Sequence, residues 1–169
     1  MTGAGRAAPL PTVEPGDPRD PRARDLLARS HALMTSLFPP EENAHLDVAA
    51  LAAPEIRFLW ARRGAEILGT GALALRADHA EVKSMFTAPA ARGQGVGDAV
   101  LRALIDLAAA EGVPRLRLET GRGLDAACRL YERHGFRPRG PFGSYRANGS
   151  SLFYERAPDA PTRKAPQTR

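Results

Sequence analysis

The spacing of apolar residues predicts a strand, a glycine-rich turn and a helix in direct succession near the middle of the chain. In the run from 81 to 86, β-branched and aromatic residues favour a strand, and Pro89 ends it because proline has no N–H for a strand ladder. The turn is the hexapeptide 92–97, Arg-Gly-Gln-Gly-Val-Gly. Beyond it, apolar residues recur at steps of three and four, as on one face of a helix: Val96, Val100, Leu101, Leu104, Ile105 and Ala108.

Three further helices are predicted from similar patterns. The first begins at Pro21, since proline is favoured at the first helical position, and ends before Pro39. A short second helix follows the PPEENAHLD segment and ends at Pro54. A later helix covers residues 124–132, and Gly135 caps it. The chain therefore has about four expected helices.

The strands predict a mixed sheet. Residues 56–61 and 66–75 form an antiparallel pair, in which Gly69 and Gly71 mark a bulge or a close approach of neighbouring atoms. The strand at 116–120 follows the central helix and should run parallel to the strand at 81, because a helix joins them. With strands at Phe136 and at 151–155, the expected fold class is α/β (α+β). It has a six- to seven-stranded, mostly antiparallel sheet with a central parallel pair.

Composition indicates one domain with irregular ends. The domain should cover residues 21–156, preceded by a flexible proline-rich segment at 1–20, with at most an edge strand, and followed by a disordered basic tail at 157–169. No apolar run approaches the roughly 20 residues of a membrane helix, and the first residues lack the apolar centre of a signal peptide. We therefore expect a cytoplasmic protein that does not bind membranes.

The net charge does not indicate nucleic-acid binding. The formal charge is +5, but residues 31–160 carry 16 Lys and Arg against 15 acids, and the last nine residues contribute +3. A duplex-binding face needs several basic side chains together, so no nucleic-acid partner is expected. The single cysteine, Cys128, excludes a disulfide framework and cannot by itself make a zinc site. No metal is predicted.

The glycine-rich turn predicts an anion site. N–H groups at a helix start lack partners and the helix dipole favours negative charge, although glycines can also be present for steric reasons alone. A Walker loop would need Ser or Thr after a lysine, whereas Gly97 is followed by Asp98. A dinucleotide fold would need a second half after its acidic residue, and too little chain follows Glu119. The remaining pattern, Arg/Gln-x-x-Gly-x-Gly/Ala, resembles the acetyl-coenzyme A loop of the Gcn5-related N-acetyltransferases (GNAT).

Other segments support this resemblance over residues 21–156. Residues 127–136 are similar to the family's second signature, Ala-x-x-Leu-Tyr-x-x-x-Gly-Phe. The segments 81–86 (EVKSMF) and 118–121 (LETG) resemble a bacterial group of the superfamily, as do 39–42 (PPEE), 141–145 (PFGSY) and 151–153 (SLF). One position departs from the family, since Leu124 stands where many members have an asparagine that helps to hold the cofactor.

The resemblance implies acetyl-coenzyme A (acetyl-CoA) as cosubstrate and identifies the residues that would bind it. The diphosphate would lie on the N–H groups of the turn, and the pantetheine arm would pair with the main chain at 85–87. Tyr131 would give a proton to the departing thiolate, although its ring could instead only pack beneath the sheet. The expected cofactor-binding residues are Met85, Phe86, Thr87, Arg92, Gly93, Gln94, Gly95, Val96, Gly97 and Tyr131.

The acceptor side is less constrained by the sequence. An alkylammonium must lose a proton before it attacks, so a carboxylate is expected nearby, with Glu81 as first choice and Glu119 as second. Glu81 could instead form a salt bridge with Lys83. Glu41 would bind the substrate amine, and Tyr145 lies in a segment that borders the acceptor pocket in similar proteins. Glu41, Glu119 and Tyr145 are thus the expected substrate-binding residues.

The expected activity is transfer of an acetyl group to a primary amine of a small molecule or amino acid, by direct attack in a ternary complex. The alternatives are a protein lysine or N-terminal acetyltransferase and a non-catalytic acyl-CoA sensor. The protein should be a monomer or a homodimer.

Overall fold

The computed structural model describes residues 8–159, so the expectations for residues 1–7 and 160–169 lie outside the described residues. Within this range four α-helices and seven strands are present. The helices are α1 (Pro21–Leu37), α2 (Val48–Leu51), α3 (Val96–Ala110) and α4 (Asp125–Arg133). The strands are β1 (Thr12–Pro15), β2 (Ile56–Arg63), β3 (Glu66–Leu75), β4 (Ala80–Thr87), β5 (Leu116–Gly121), β6 (Arg137–Arg139) and β7 (Ser151–Arg156).

The seven strands form one sheet in the order β1-β2-β3-β4-β5-β7-β6. Only β4 and β5 pair in parallel, and all other neighbours are antiparallel. The parallel pair follows from the connection, because α3 carries the chain back across the sheet before β5 begins. The predicted fold class, with its central parallel pair, is therefore confirmed.

The N-terminal segment contributes one edge strand to the sheet. β1 pairs with β2 from Thr12 opposite Arg62 to Pro15 opposite Leu59. The Glu14 carboxylate accepts hydrogen bonds from the indole of Trp60 and the guanidinium of Arg62. The edge strand allowed for within residues 1–20 is thus present at 12–15, where a cross-strand ion pair and an edge position that tolerates proline support pairing.

Helix α3 packs on the sheet through the apolar stripe predicted from the sequence. All six predicted residues are buried, together with strand residues such as Leu68, Leu73 and Leu118. The helix lies so close to β3 that a Cβ at Gly71 would be 2.6 Å from the Val100 side chain. The β3–β4 register also shifts between Thr70 and Ala72, so the predicted bulge is confirmed.

The two parallel strands separate after a short paired stretch. β4 pairs with β5 only from Ala80 opposite Leu116 to Val82 opposite Leu118, although both strands continue further. Two residues after Val82, Ser84 has a positive φ of 55° and lies where the β3–β4 register shifts. Such a bulge bends a strand, and the sheet opens between β4 and β5 directly in front of the α3 N-terminus.

None of the helices within residues 8–159 has the length and hydropathy that crossing a membrane would require.

Candidate active site

The glycine-rich turn leaves a row of main-chain amides free at the start of α3. Gly93 and Gly95 have φ values of 76° and 79°, in the left-handed region that glycine adopts without strain. Within residues 8–159, the six N–H groups of residues 93–98 donate to no protein acceptor. A Cβ at Gly93 or Gly95 would meet nothing within 4 Å, so space lies beside this backbone. Free N–H groups, the helix dipole and open space together form an anion site.

A groove of about 710 Å³ runs from these amides to the opening between β4 and β5. Its walls include Arg92 and Arg133, and both cations suit a diphosphate. Asp98 also faces the groove, but its carboxylate is paired with Arg133 at 3.2 Å and His134 at 2.9 Å. Burial alone would raise the pKa of Asp98, but these hydrogen bonds outweigh burial and lower it. The charge of Asp98 is therefore balanced by its own partners.

The remaining residues expected to bind the cofactor lie along the same groove, with one side chain as an exception. Met85, Phe86 and Thr87 line it. The Gln94 side chain is turned away, because its amide oxygen accepts from Arg63 at 3.1 Å and its amide nitrogen donates to the Ala90 carbonyl. Gln94 can therefore contribute only its backbone N–H to this site.

A second, smaller cavity of about 140 Å³ continues beyond the opening between the strands. It lies under α1 and the segment 42–45, with residues 82–85 of β4 and 119–121 of β5 forming its walls. Five side chains border both spaces: Met34, Met85, Leu124, Ala127 and Tyr131. A thioester lying in the groove would therefore meet a molecule in the cavity at these residues.

Tyr131 lies at this junction and is only 6% exposed. Its ring packs against Phe136 and Tyr154, and no described residue forms a hydrogen bond with its hydroxyl. Burial, with smaller effects from Cys128 and Glu119, raises the pKa of the phenol above its usual value. The hydroxyl thus stays protonated at neutral pH and is free to donate a hydrogen bond or a proton.

Of the two carboxylates expected to act as base, Glu119 lines the small cavity and Glu81 lines neither space. Burial raises the pKa of Glu119, opposed in part by a hydrogen bond from Ser151 and the charge of Lys83. A carboxylate with a raised pKa takes a proton from an ammonium more readily than an ordinary glutamate.

Glu81 is instead part of a buried group with Lys83 and Tyr145. The Tyr145 hydroxyl donates to the Glu81 carboxylate, and the Lys83 ammonium lies 3.3 Å from the same oxygen. Lys83 also donates to the Tyr145 hydroxyl at 2.9 Å and to the Ala44 carbonyl at 2.8 Å. The salt bridge considered for Glu81 in the sequence analysis is present, and it ties β4 to two loops.

The acidic residue of the α1–α2 connection that faces the cavity is Glu42. Glu41 is exposed and lines neither space, whereas Glu42 is half-buried and borders the cavity. The Ser150 hydroxyl donates to the Glu42 carboxylate. Of the two adjacent glutamates, the one predicted from the sequence therefore lies outside both spaces, because Pro40–Glu42 form a 3-10 turn whose phase the sequence does not reveal.

Three other cavity residues were not predicted. Lys83 lines the cavity, as do His31 and His45, whose rings stack at 4.0 Å between centroids. Burial, followed by the neighbouring His45, lowers the pKa of His31. His31 and His45 are 14 positions apart, and Lys83 and Tyr145 are 62 positions apart, so no local pattern indicates these contacts. The one short-range signal is that Lys83 lies two residues from Glu81.

Leu124, where the family often has asparagine, precedes α4 and makes no side-chain cap. It borders both spaces and lies against Gly121, where a Cβ would be 3.1 Å from the Leu124 Cδ1. An apolar wall thus replaces a polar contact at this position. Cys128 borders neither space. Within the described residues no group of three or more His, Cys, Asp or Glu could hold a metal ion.

Comparison with known proteins agrees with this geometry. The model of the acetyltransferase (GNAT) family matches residues 23–136. The IAA acetyltransferase of Azospirillum brasilense is 39% identical over 150 residues, covering 88% of this chain and 98% of its own. A proposed acyl-CoA N-acyltransferase from Klebsiella pneumoniae has a TM-score of 0.74 at 29% identity, covering 88% of this chain and 98% of its own.

A further solved structure shows the same fold with a ligand. It is a proposed acetyltransferase from Salmonella typhimurium, solved with its cofactor acetyl-CoA, with a TM-score of 0.69 at 20% identity. It covers 92% of this chain and all of its own. From the family model and the 39% identical relative we conclude that this chain belongs to the GNAT family of acetyltransferases.

Proposed function

We propose that this acetyltransferase transfers the acetyl group of acetyl-CoA to a primary amine of a small molecule or amino acid, by direct attack in a ternary complex. The observation that supports this most strongly is the junction of the two spaces at Tyr131. The groove that begins at the free amides meets the small cavity there, so thioester and amine can occupy adjoining sites.

The cofactor would bind mainly through the main chain. Its diphosphate would accept hydrogen bonds from the N–H groups of residues 93–98, and Arg92 and Arg133 would add positive charge. The pantetheine arm would enter the opening between β4 and β5, where residues 83–87 have no partner strand on the β5 side. An extended arm can pair with such a strand edge as an added strand does.

Tyr131 and Glu119 have the surroundings that the two proton transfers need. Glu119 accepts the proton of the incoming ammonium, and the neutral amine attacks the thioester carbon. A main-chain N–H of β4 stabilises the oxyanion. When the carbon–sulfur bond breaks, Tyr131 donates its proton to the thiolate, which leaves as free thiol. The attacking nitrogen then loses its extra proton as the amide forms, and this proton restores the Tyr131 phenol.

Glu81 is the weaker candidate for the base. Its carboxylate already accepts from Tyr145 and Lys83, and its side chain is only 5% exposed. Glu81 also lines neither the groove nor the cavity, so it does not face the place where the amine would lie. We therefore assign to Glu81 the positioning of Lys83 and Tyr145 and to Glu119 the proton transfer.

The size of the acceptor cavity favours a small molecule over a protein chain. Its volume is about 140 Å³, and the Phe38 side chain and residues 42–45 are part of its lining. A protein acetyltransferase needs a groove that accepts an extended peptide. The 39% identical relative is named as an acetyltransferase, which supports the reaction type. Direct transfer is supported by Cys128, the single cysteine, which lies outside both spaces.

The proposal is tested by incubating the protein with acetyl-CoA and a panel of alkylamines, amino acids and peptides while following release of free thiol. Acceptor-dependent thiol with amines or amino acids is expected, and peptides should be much poorer acceptors. Preferred use of peptides would indicate a protein acetyltransferase. Calorimetric binding of acetyl-CoA without thiol release from any acceptor would indicate an acyl-CoA sensor.

A further inference from the structure

The acceptor cavity has more carboxyl side chains than ammonium side chains. Within the described part of the chain, its Glu and Lys residues are Glu42, Glu119 and Lys83. We infer that the acceptor is a short aliphatic diamine, whose reacting amine lies at Glu119 and whose second ammonium group binds Glu42. This inference rests on the proposed function and narrows its acceptor from amines in general to one class.

Lys83 is already engaged by the protein. Its ammonium donates hydrogen bonds to the Ala44 carbonyl at 2.8 Å and to the Tyr145 hydroxyl at 2.9 Å. The Glu81 carboxylate lies 3.3 Å from the ammonium and offsets its charge. A carboxylate on the acceptor would therefore meet an ammonium that already has a carboxylate partner in the protein.

The two carboxylates that face the cavity do have free acceptor positions. The Glu42 carboxylate receives the Ser150 hydroxyl on Oε2, and within the described residues Oε1 has no donor. A carboxylate offers about four lone-pair positions, so Glu42 can accept further N–H groups. Burial lowers the pKa of the neighbouring His31, which reduces positive charge near Glu42 at neutral pH. The free ionic groups thus match a dication.

The two carboxylates line the same small cavity. Its volume is about 140 Å³, and the Ser150 hydroxyl holds Glu42 in place there. A short molecule with an amine at each end can give each carboxylate an ammonium partner. Met34 and Phe38 offer apolar contact to the methylene chain between the two amines.

Tyr131 offers a free hydroxyl where the cavity meets the groove. Its side chain is 6% exposed and borders both spaces, and no described residue pairs with its hydroxyl. This hydroxyl is not enclosed by protein, so it can reach a molecule bound at the junction.

The test compares three acceptors of equal chain length: putrescine, butylamine and γ-aminobutyrate. They differ only at the end away from the reacting amine, which is an ammonium, a methyl group or a carboxylate. We expect kcat/KM for putrescine to exceed that for butylamine by about tenfold or more, since a charge-assisted hydrogen bond is worth that factor. γ-Aminobutyrate should be the poorest of the three, because its carboxylate would face Glu42.

The variant Glu42→Gln tests the anchor, and Glu41→Gln serves as the matched control because it removes the same charge one residue away from the cavity. Glu42→Gln should lower kcat/KM for putrescine by a much larger factor than kcat/KM for butylamine, so that the preference for putrescine is nearly lost. Glu41→Gln should leave the preference for putrescine intact.

Several results would overturn the inference while leaving the proposed function in place. They are equal use of putrescine and butylamine, a preference for γ-aminobutyrate, or an equal loss for both amines in Glu42→Gln, which would indicate a loop-positioning role. The acceptor comparison uses the unaltered protein, so it decides the matter even if Glu42→Gln does not fold. If no acceptor of any class releases thiol, the proposed function itself has failed.

Discussion

At the scale of single residues, the proposed chemistry depends on two side chains whose pKa values are shifted by the same cause. Burial raises the pKa of Tyr131 and of Glu119. For the phenol the shift ensures that a proton is present, and for the carboxylate it increases the affinity for a proton. One residue therefore suits giving a proton and the other suits receiving one.

The Tyr131→Phe variant should lower turnover at least tenfold while its affinity for acetyl-CoA stays similar, because only the proton donor is lost. Steady-state kinetics and calorimetry would measure the two quantities. Tyr154→Phe is the matched control, since its ring lies 6.4 Å from that of Tyr131 and its hydroxyl binds Glu132 outside both spaces. Equal turnover in the two variants would remove the acid role from Tyr131.

Glu119 should give kcat an acid limb at a pH above the ordinary glutamate value of 4.5. The base acts only when deprotonated, so kcat falls as the pH drops through the raised pKa. With both substrates saturating, Glu119→Gln should abolish this limb and lower kcat by about 100-fold. A limb that persists in Glu119→Gln and disappears in Glu81→Gln would make Glu81 the base.

At this scale the sequence predicted residue types better than residue contacts. Tyr131 was found because it lies within a recognisable signature. The sequence did not show that Glu42 and not Glu41 borders the cavity, since two adjacent glutamates in a 3-10 turn differ only in which side of the turn they occupy. The Glu81–Tyr145 hydrogen bond joins residues 64 positions apart, and no local pattern encodes such a pair.

At the scale of elements, the strand, turn and helix that form the proposed diphosphate site are determined locally. The α3 stripe and the glycines were predicted in full because both follow from short-range periodicity and backbone freedom. The opening between β4 and β5 could be anticipated only through the family resemblance. It depends on where the β3–β4 register shifts and on Ser84, a non-glycine residue with positive φ.

Gly95→Ala should weaken acetyl-CoA binding at least tenfold, because a methyl group would occupy the space beside the free amides. Gly112→Ala is the matched control at the other end of α3, since both glycines have positive φ (79° and 69°) and open surroundings. The left-handed conformation costs about 1–2 kcal/mol with alanine in either variant. The two variants should therefore have similar melting temperatures, while titration calorimetry should show weaker acetyl-CoA binding for Gly95→Ala than for Gly112→Ala. Equal affinities of the two variants for acetyl-CoA would argue against binding at this turn.

At the scale of the whole molecule, the sheet consists of two parts joined by a short ladder. β1 to β4 form one antiparallel part and β5 to β7 the other, and only three residue pairs connect β4 with β5. A pantetheine arm between the strands would bridge these parts, so ligand binding should stabilise the entire fold.

Acetyl-CoA at about 100 times its Kd should add about 2.7 kcal/mol to the free energy of unfolding. At roughly 2–4 °C per kcal/mol, this raises the Tm by about 5–10 °C. Scanning calorimetry would measure the shift, and hydrogen exchange should show protection at residues 83–87 and 93–98. Acetyl-pantetheine, which lacks the diphosphate, should give a much smaller shift. An equal shift from acetyl-pantetheine would mean that the amides of 93–98 do not bind the diphosphate.

The free amides at residues 93–98 also bear on inhibitor design. Every polypeptide carries the same N–H atoms, so a compound that mimics the diphosphate would encounter nearly identical chemistry in other acetyltransferases with such a turn. Under the proposed function, selectivity is better sought in the 140 Å³ cavity, because its lining includes the side chains of Glu42, His31 and Phe38 and not main-chain amides alone.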